Sequence, residues 1–121
     1  MKILICGENK LFVKLISLQL QLDGYETIMA HNGVDACRLL LSDPPDILIS
    51  DVVLPQTNGF EFIRSARLKY PQLLIIVISN LASEQLISQV FRLGANDFIS
   101  TPFDPEYLKI RIKRSILTQQ P

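Results

Sequence analysis

The residues able to do chemistry fall in four short clusters, each at the end of an apolar run: Gly7, Glu8 and Asn9; Asp51 to Val53; Ser79 and Asn80; Thr101 and Pro102. Glu8 and Asp51 bring carboxylates, which can attack as nucleophiles or bind a hard cation through oxygen. Ser79 and Thr101 bring hydroxyls, which can donate to an anion. Asp51 carries the sharpest signature, with Pro55 four residues on and Gly59 eight residues on. The simpler role for such an aspartate is to cap the turn before Pro55. The single histidine, His31, lies in the turn-like stretch Ala30-His31-Asn32-Gly33, is expected to be solvated, and excludes a histidine-rich metal site. Cys6 and Cys37 have no partner at metal-ligand spacing and are expected to be reduced, buried packing residues.

The elements that must position these groups are legible as alternating patterns. Apolar runs of strand length occur at Lys2 to Cys6, Tyr25 to Met29, Asp46 to Ser50, Leu73 to Ile78 and Asp97 to Ser100. The first, third and fourth have continuously apolar centres, as strands covered on both faces do. Between them, apolar residues three or four apart mark helices: Leu11, Leu15, Leu18 and Leu22; Val34 to Leu41; Phe60, Ile63 and Ala66; Leu86, Val90 and Leu93; Leu108, Ile112 and Ile116. Gly24 and Gly94 sit where helices end, Pro44, Pro45 and Pro71 block extension, and Asn58 can cap the third helix. Five such alternations predict an α/β fold: one doubly wound, five-stranded parallel sheet flanked by five helices. Sites in such sheets gather at the carboxyl ends of the strands, where the four clusters lie.

At 121 residues the chain is one domain by length, expected over 1–118 with a tail at 119–121. Twelve basic residues balance twelve acidic ones, which argues against a nucleic-acid or membrane partner read through net charge. No run is long enough to span a bilayer and the first residues do not resemble a signal peptide, so a cytoplasmic location is expected. The cationic last helix, with Lys109, Arg111, Lys113 and Arg114, is expected to be a solvated face.

Over essentially its whole length the sequence resembles the receiver domain of bacterial response regulators. The matching stretches are KILICGEN, DGYETIMAHNG, PDILISDVVLPQTNGFEFI, LLIIVISN and LGANDFISTPF. The resemblance implies a flavodoxin-like strand order of 2-1-3-4-5 and a phosphoacceptor role for Asp51. Its donor would be a histidine kinase or a phosphotransfer protein, with Mg²⁺ held by Glu8, Asp51 and the backbone carbonyl of Val53. It further implies that Ser79 and Phe98 act as switch residues, and that a protein output partner uses the face formed by the fourth helix, fifth strand and fifth helix. A homodimer is compatible with the family pattern, and the bond from Thr101 to Pro102 is expected to be cis.

Two positions depart from the family. Gly7 and Glu8 stand where two adjacent acids are usual, and Thr101 stands where a lysine is usual. A usual site sums three carboxylates and one lysine; here Glu8 and Asp51 without a lysine give the same balance, so the field on a divalent cation is roughly retained while the phosphoryl clamp is weakened. Lys10 could in part replace the missing ammonium. The leading reading is therefore a phosphoacceptor signalling domain rather than an enzyme, followed closely by a degenerate receiver that binds partners without phosphorylation. Aspartyl-phosphate phosphatases of the haloacid dehalogenase kind rank lower, because the second aspartate they need is here Val53. A flavin carrier ranks last, because the loop Gly7 to Lys10 lacks the hydroxyl residues that would hold a phosphate.

Overall fold

The computed structural model describes residues 1–119. Strands and helices alternate along the chain: β1 (Lys2–Cys6), α1 (Lys10–Leu22), β2 (Glu26–Ala30), α2 (Gly33–Ser42), β3 (Ile47–Asp51), α3 (Gly59–Lys69), β4 (Leu74–Ser79), α4 (Glu84–Leu93), β5 (Asp97–Ser100) and α5 (Pro105–Gln119). The strands pair in parallel in the order β2-β1-β3-β4-β5, as expected. α5 runs through Gln119, and the rest of the expected tail lies outside the described residues.

Side chains of a strand alternate between faces, so each central strand feeds two cores. Leu4, Cys6, Leu48, Ile75, Val77 and Phe98 pack on one side with residues of α2, α3 and α4. Ile3, Ile5, Ile47, Ile49, Ile76, Ile78 and Ile99 pack on the other with residues of α1 and α5. Complete burial of each such side chain contributes about 1.5–3 kcal/mol, which is why β1, β3 and β4 read as unbroken apolar runs.

Five helix N-termini are capped by short polar side chains: Asn9 accepts from the Phe12 N–H at 3.0 Å, Asn32 from Asp35 at 2.8 Å, Asn58 from Phe60 at 3.0 Å, Ser83 from Leu86 at 3.2 Å and Asp104 from Glu106 at 2.9 Å. At the other end of the sheet, Arg67 of α3 acts as a clamp. Its guanidinium donates to the carbonyls of Gly94 (2.9 Å), Pro71 (2.9 Å) and Tyr70 (3.2 Å) and to Asn96 Oδ1 (2.7 Å), which also accepts from the Ile75 N–H at 2.8 Å.

Several expectations need correction. β2, β3 and β4 each lie one residue later than expected, so Asp51 and Ser79 are the last residues of their strands rather than the first residues beyond them. Helix α1 forms, yet the leucines that marked it point to solvent, and Val13, Ile16, Ser17 and Leu20 are its buried face. Cys6 is buried, and burial pushes its thiol pKa up. Cys37 is exposed, because α2 buries the stripe Gly33, Ala36 and Leu40 instead. The cationic face of α5 is only partly solvated: Arg111 pairs with Asp97 and Tyr107, and Lys109 and Lys113 reach Asp23 of α1 at 4.0 and 3.9 Å. His31 is partly buried, with Nδ1 3.3 Å from the Gly7 carbonyl.

Candidate functional site

The fold brings the four clusters to one edge of the sheet. Asp51 ends β3, the central strand, and is paired with Ile78 of β4. Cys6 of β1 is paired with Ser50, so the chain leaving β1 carries Gly7 and Glu8 past Asp51. Ser79 is paired with Ser100, and the Thr101 N–H donates to the Ser79 carbonyl at 2.9 Å, which fixes Thr101 beside the end of β4. The bond from Thr101 to Pro102 is cis, as expected.

The Asp51 carboxylate is partly buried, and its Oδ1 accepts from the Val53 N–H at 3.0 Å. Burial pushes its pKa above the usual carboxylate value; the N–H groups of Val53 and Val52 pull it back, and the charge of Glu8 pushes it further up. An acid whose folded-state pKa is raised binds more protons folded than unfolded. It therefore stabilises the fold at low pH, and that contribution is lost as pH rises through the folded value. Asp51→Asn should thus raise the midpoint of thermal unfolding at pH 7, with the gain fading as pH falls through the folded value and gone below about pH 4. An equal midpoint for both proteins at every pH would contradict this account of the site.

The loop after Asp51 explains the spacing of Pro55 and Gly59. Gly59 opens α3 so close to the chain that a Cβ there would stand 1.9 Å from the Val52 carbonyl oxygen. The Pro55 carbonyl accepts from the Gly33 N–H at 2.7 Å, and Thr57 occupies the space where a Gly33 side chain would be. Gln56, with φ of 68°, takes the left-handed conformation that lets the loop close. The loop is thereby tied to the first residue of α2.

Around Asp51 the remaining groups are arranged as follows. Ser79 is buried and its Oγ accepts from the Leu81 N–H at 3.0 Å. Phe98 is only 8% exposed and lines a cavity between α4, β5 and α5 with Ile87, Phe91, Phe103 and Tyr107. Glu8, Lys10 and Val53 are exposed, and Thr101 is partly buried. Among the described residues no group of three or more His, Cys, Asp or Glu could by itself hold a metal ion. Glu8, whose charge acts on Asp51, and Asp51 itself are hard carboxylate donors of the kind that suits a largely hydrated Mg²⁺ rather than an all-protein cage.

One contact at this edge is not readable from spacing. A Cβ on Gly7 would lie 2.9 Å from Cγ2 of Val13, so the room that a second acid would need is filled from α1. The only signal was the glycine itself.

Residues 3–113 match the family model described as the response regulator receiver domain. The chain belongs to that family. Among solved structures, the chemotaxis protein CheY4 of Vibrio cholerae is 28% identical with a TM-score of 0.88, the match covering 94% of this chain and 97% of that one. A CheY-like receiver domain protein from Methanospirillum hungatei JF-1 is 23% identical with a TM-score of 0.92, over 98% of this chain and 94% of that one. A two-component response regulator from Clostridium difficile is 20% identical with a TM-score of 0.94, over 100% and 99%. This receiver domain is thus a module of two-component signalling, a family that interacts with histidine kinases and output domains. Among the described residues, no helix is long and apolar enough to cross a membrane.

Proposed function

We propose that this receiver domain accepts a phosphoryl group on Asp51 from a histidine kinase or a phosphotransfer protein and answers with a change in its partner-binding face. The observation that carries the reading is the Asp51 carboxylate itself. It stands at the end of the central strand, aimed by the Val53 N–H, with Ser79 and Thr101 delivered from the next two strands. In the transfer an Asp51 oxygen forms the new P–O bond as the P–N bond to the donor imidazole breaks, and the imidazole nitrogen keeps the bonding pair. Mg²⁺, when bound, would be held by Glu8, Asp51 and the Val53 carbonyl, and it neutralises charge between the two anions.

Ser79 supplies the link to output. Its hydroxyl now accepts from Leu81, and a phosphoryl oxygen on Asp51 offers it an acceptor towards which it can donate. A shift of Ser79 towards the site frees volume on the side where Phe98 packs. Phe98 lines the cavity between α4, β5 and α5, so its repacking changes the surface offered to a protein partner. In this reading the domain acts by protein contact, as a cytoplasmic signalling component, and not as an enzyme or a nucleic-acid binder.

A second reading has specific support: Val13 fills the space beside Gly7, and Thr101 replaces an ammonium. Both weaken the site, as expected of a domain that binds partners without phosphorylation. Incubation with acetyl phosphate and Mg²⁺ separates the two. Intact mass should show one added phosphoryl group, absent from Asp51→Asn; an unmodified protein under conditions that label another receiver would overturn the phosphoacceptor reading.

A further inference from the structure

Helix α1 carries two apolar faces. Val13, Ile16 and Leu20 face the sheet, while Leu11, Leu15, Leu18 and Leu22 on the opposite side are 70%, 53%, 44% and 80% exposed. The exposed four are spaced by four, three and four residues, the interval of a coiled-coil seam. We infer that this seam is a self-association surface, on which two copies of the chain pair their α1 helices antiparallel about a two-fold axis.

The spacing itself selects a second copy as the occupant. Four, three, four reads the same in both directions, so an axis between Ile16 and Ser17 sets Leu11 against Leu22 of the second copy and Leu15 against Leu18. Such self-complementarity is what a two-fold interface requires. Charge selects the antiparallel sense. Lys10 and Lys14 lie at the positive end of the helix and Asp23 caps its negative end, each opposed to the helix's own dipole. A parallel pair would crowd the lysines and the positive helix ends of both copies together. The antiparallel pair sets the lysine-bearing end of each helix beside the Asp23 end of the other. Asp23 is engaged by Lys109 and Lys113 at 4.0 and 3.9 Å, so the leucines supply the affinity and the charges only the sense of pairing. The formal net charge of zero sets no overall repulsion between copies.

The exposed seam offers on the order of 400 Å² of apolar surface per copy, about half of what each partner buries in a standard interface. The dimer is therefore reversible, with a Kd on the order of 10–100 µM. Sedimentation equilibrium on the full chain should show it, and Leu15→Glu/Leu18→Glu should weaken it at least about tenfold with unchanged circular dichroism, since both positions face solvent. Leu68→Glu, an exposed leucine on α3, should leave it intact. Orientation is read by oxidation in a Cys37→Ser background: Leu11→Cys mixed with Leu22→Cys should form the mixed disulfide. Leu11→Cys alone should not, because antiparallel copies hold those positions about 17 Å apart. A monomer at about 1 mM, a dimer that survives Leu15→Glu/Leu18→Glu, or efficient cross-linking of Leu11→Cys with itself would overturn the proposal.

Discussion

Replacing Gly59 by alanine should lower the unfolding temperature of this receiver domain by about 10 °C. The added methyl would stand 1.9 Å from the Val52 carbonyl oxygen, 2.6 Å from its carbon and 3.0 Å from its Cα. These are backbone atoms of the loop that follows Asp51, and no side-chain rotation relieves them. Overpacking of this kind costs about 2–4 kcal/mol once the backbone has shifted, and each kcal/mol is worth roughly 3–5 °C in a domain of this size. The shift must also move Val52 and with it the Val53 N–H that aims Asp51, so acetyl phosphate labelling should fall along with stability. Gly24 provides the contrast. Nothing lies within 4 Å of a Cβ there, and its φ of 92° makes alanine unfavourable only through backbone conformation, by about 1 kcal/mol. A Gly59→Ala protein melting within about 2 °C of the parent would show that α3 can slide away from Val52 freely.

The largest gain in function is expected from Thr101→Lys. An ammonium at the end of β5 would donate to the outer atoms of a phosphoryl group or its beryllofluoride mimic with a full charge. Such a bond contributes about 1.5–3 kcal/mol, so beryllofluoride affinity in Mg²⁺ should rise at least about tenfold. Asp51→Asn should abolish binding in either background. Gly7→Asp, the other way to restore the family pattern, should help little alone, because its Cβ would meet Val13 at 2.9 Å. Gly7→Asp/Val13→Ala makes the room and should tighten Mg²⁺. Titration of the single, double and triple variants distinguishes a missing phosphoryl donor from a poor metal site. If none binds beryllofluoride, the phosphoacceptor reading is wrong and the partner-binding module takes its place.

The architecture was legible because it rests on local patterns: apolar runs for β1, β3 and β4, helical periodicity between them, and glycines at +92° and +116° where α1 and α4 end. Asp51, Pro55 and Gly59 were legible for the same reason, since a loop that must pass within contact of Val52 needs a glycine at a fixed distance from the aspartate. What spacing could not decide was which of two apolar stripes on α1 faces the sheet. Leu11, Leu15, Leu18 and Leu22 have a helical period as good as that of Val13, Ile16 and Leu20, and only tertiary packing separates them. Long-range pairing hid the rest. Arg111 finds Asp97 fourteen residues away, Val13 fills the space beside Gly7, and Cys37 falls just off the buried stripe of α2.

The Arg67 clamp has a consequence for how the molecule opens. One guanidinium joins the end of α3, the turn after it and the loop entering β5, while Asn96 fastens the same loop to the start of β4. All of these bonds lie at the amino ends of the strands, away from Asp51. At the opposite edge, the bonds from Val53 to Asp51 and from Phe60 to Asn58 are local, two residues apart, and exposed to solvent. Native-state amide exchange should therefore be graded along the strand direction. The Ile75 N–H should exchange only through global unfolding, while Val53 and Phe60 should exchange through local openings of much lower free energy. The sheet would breathe from the edge that carries Asp51 and stay shut at its base.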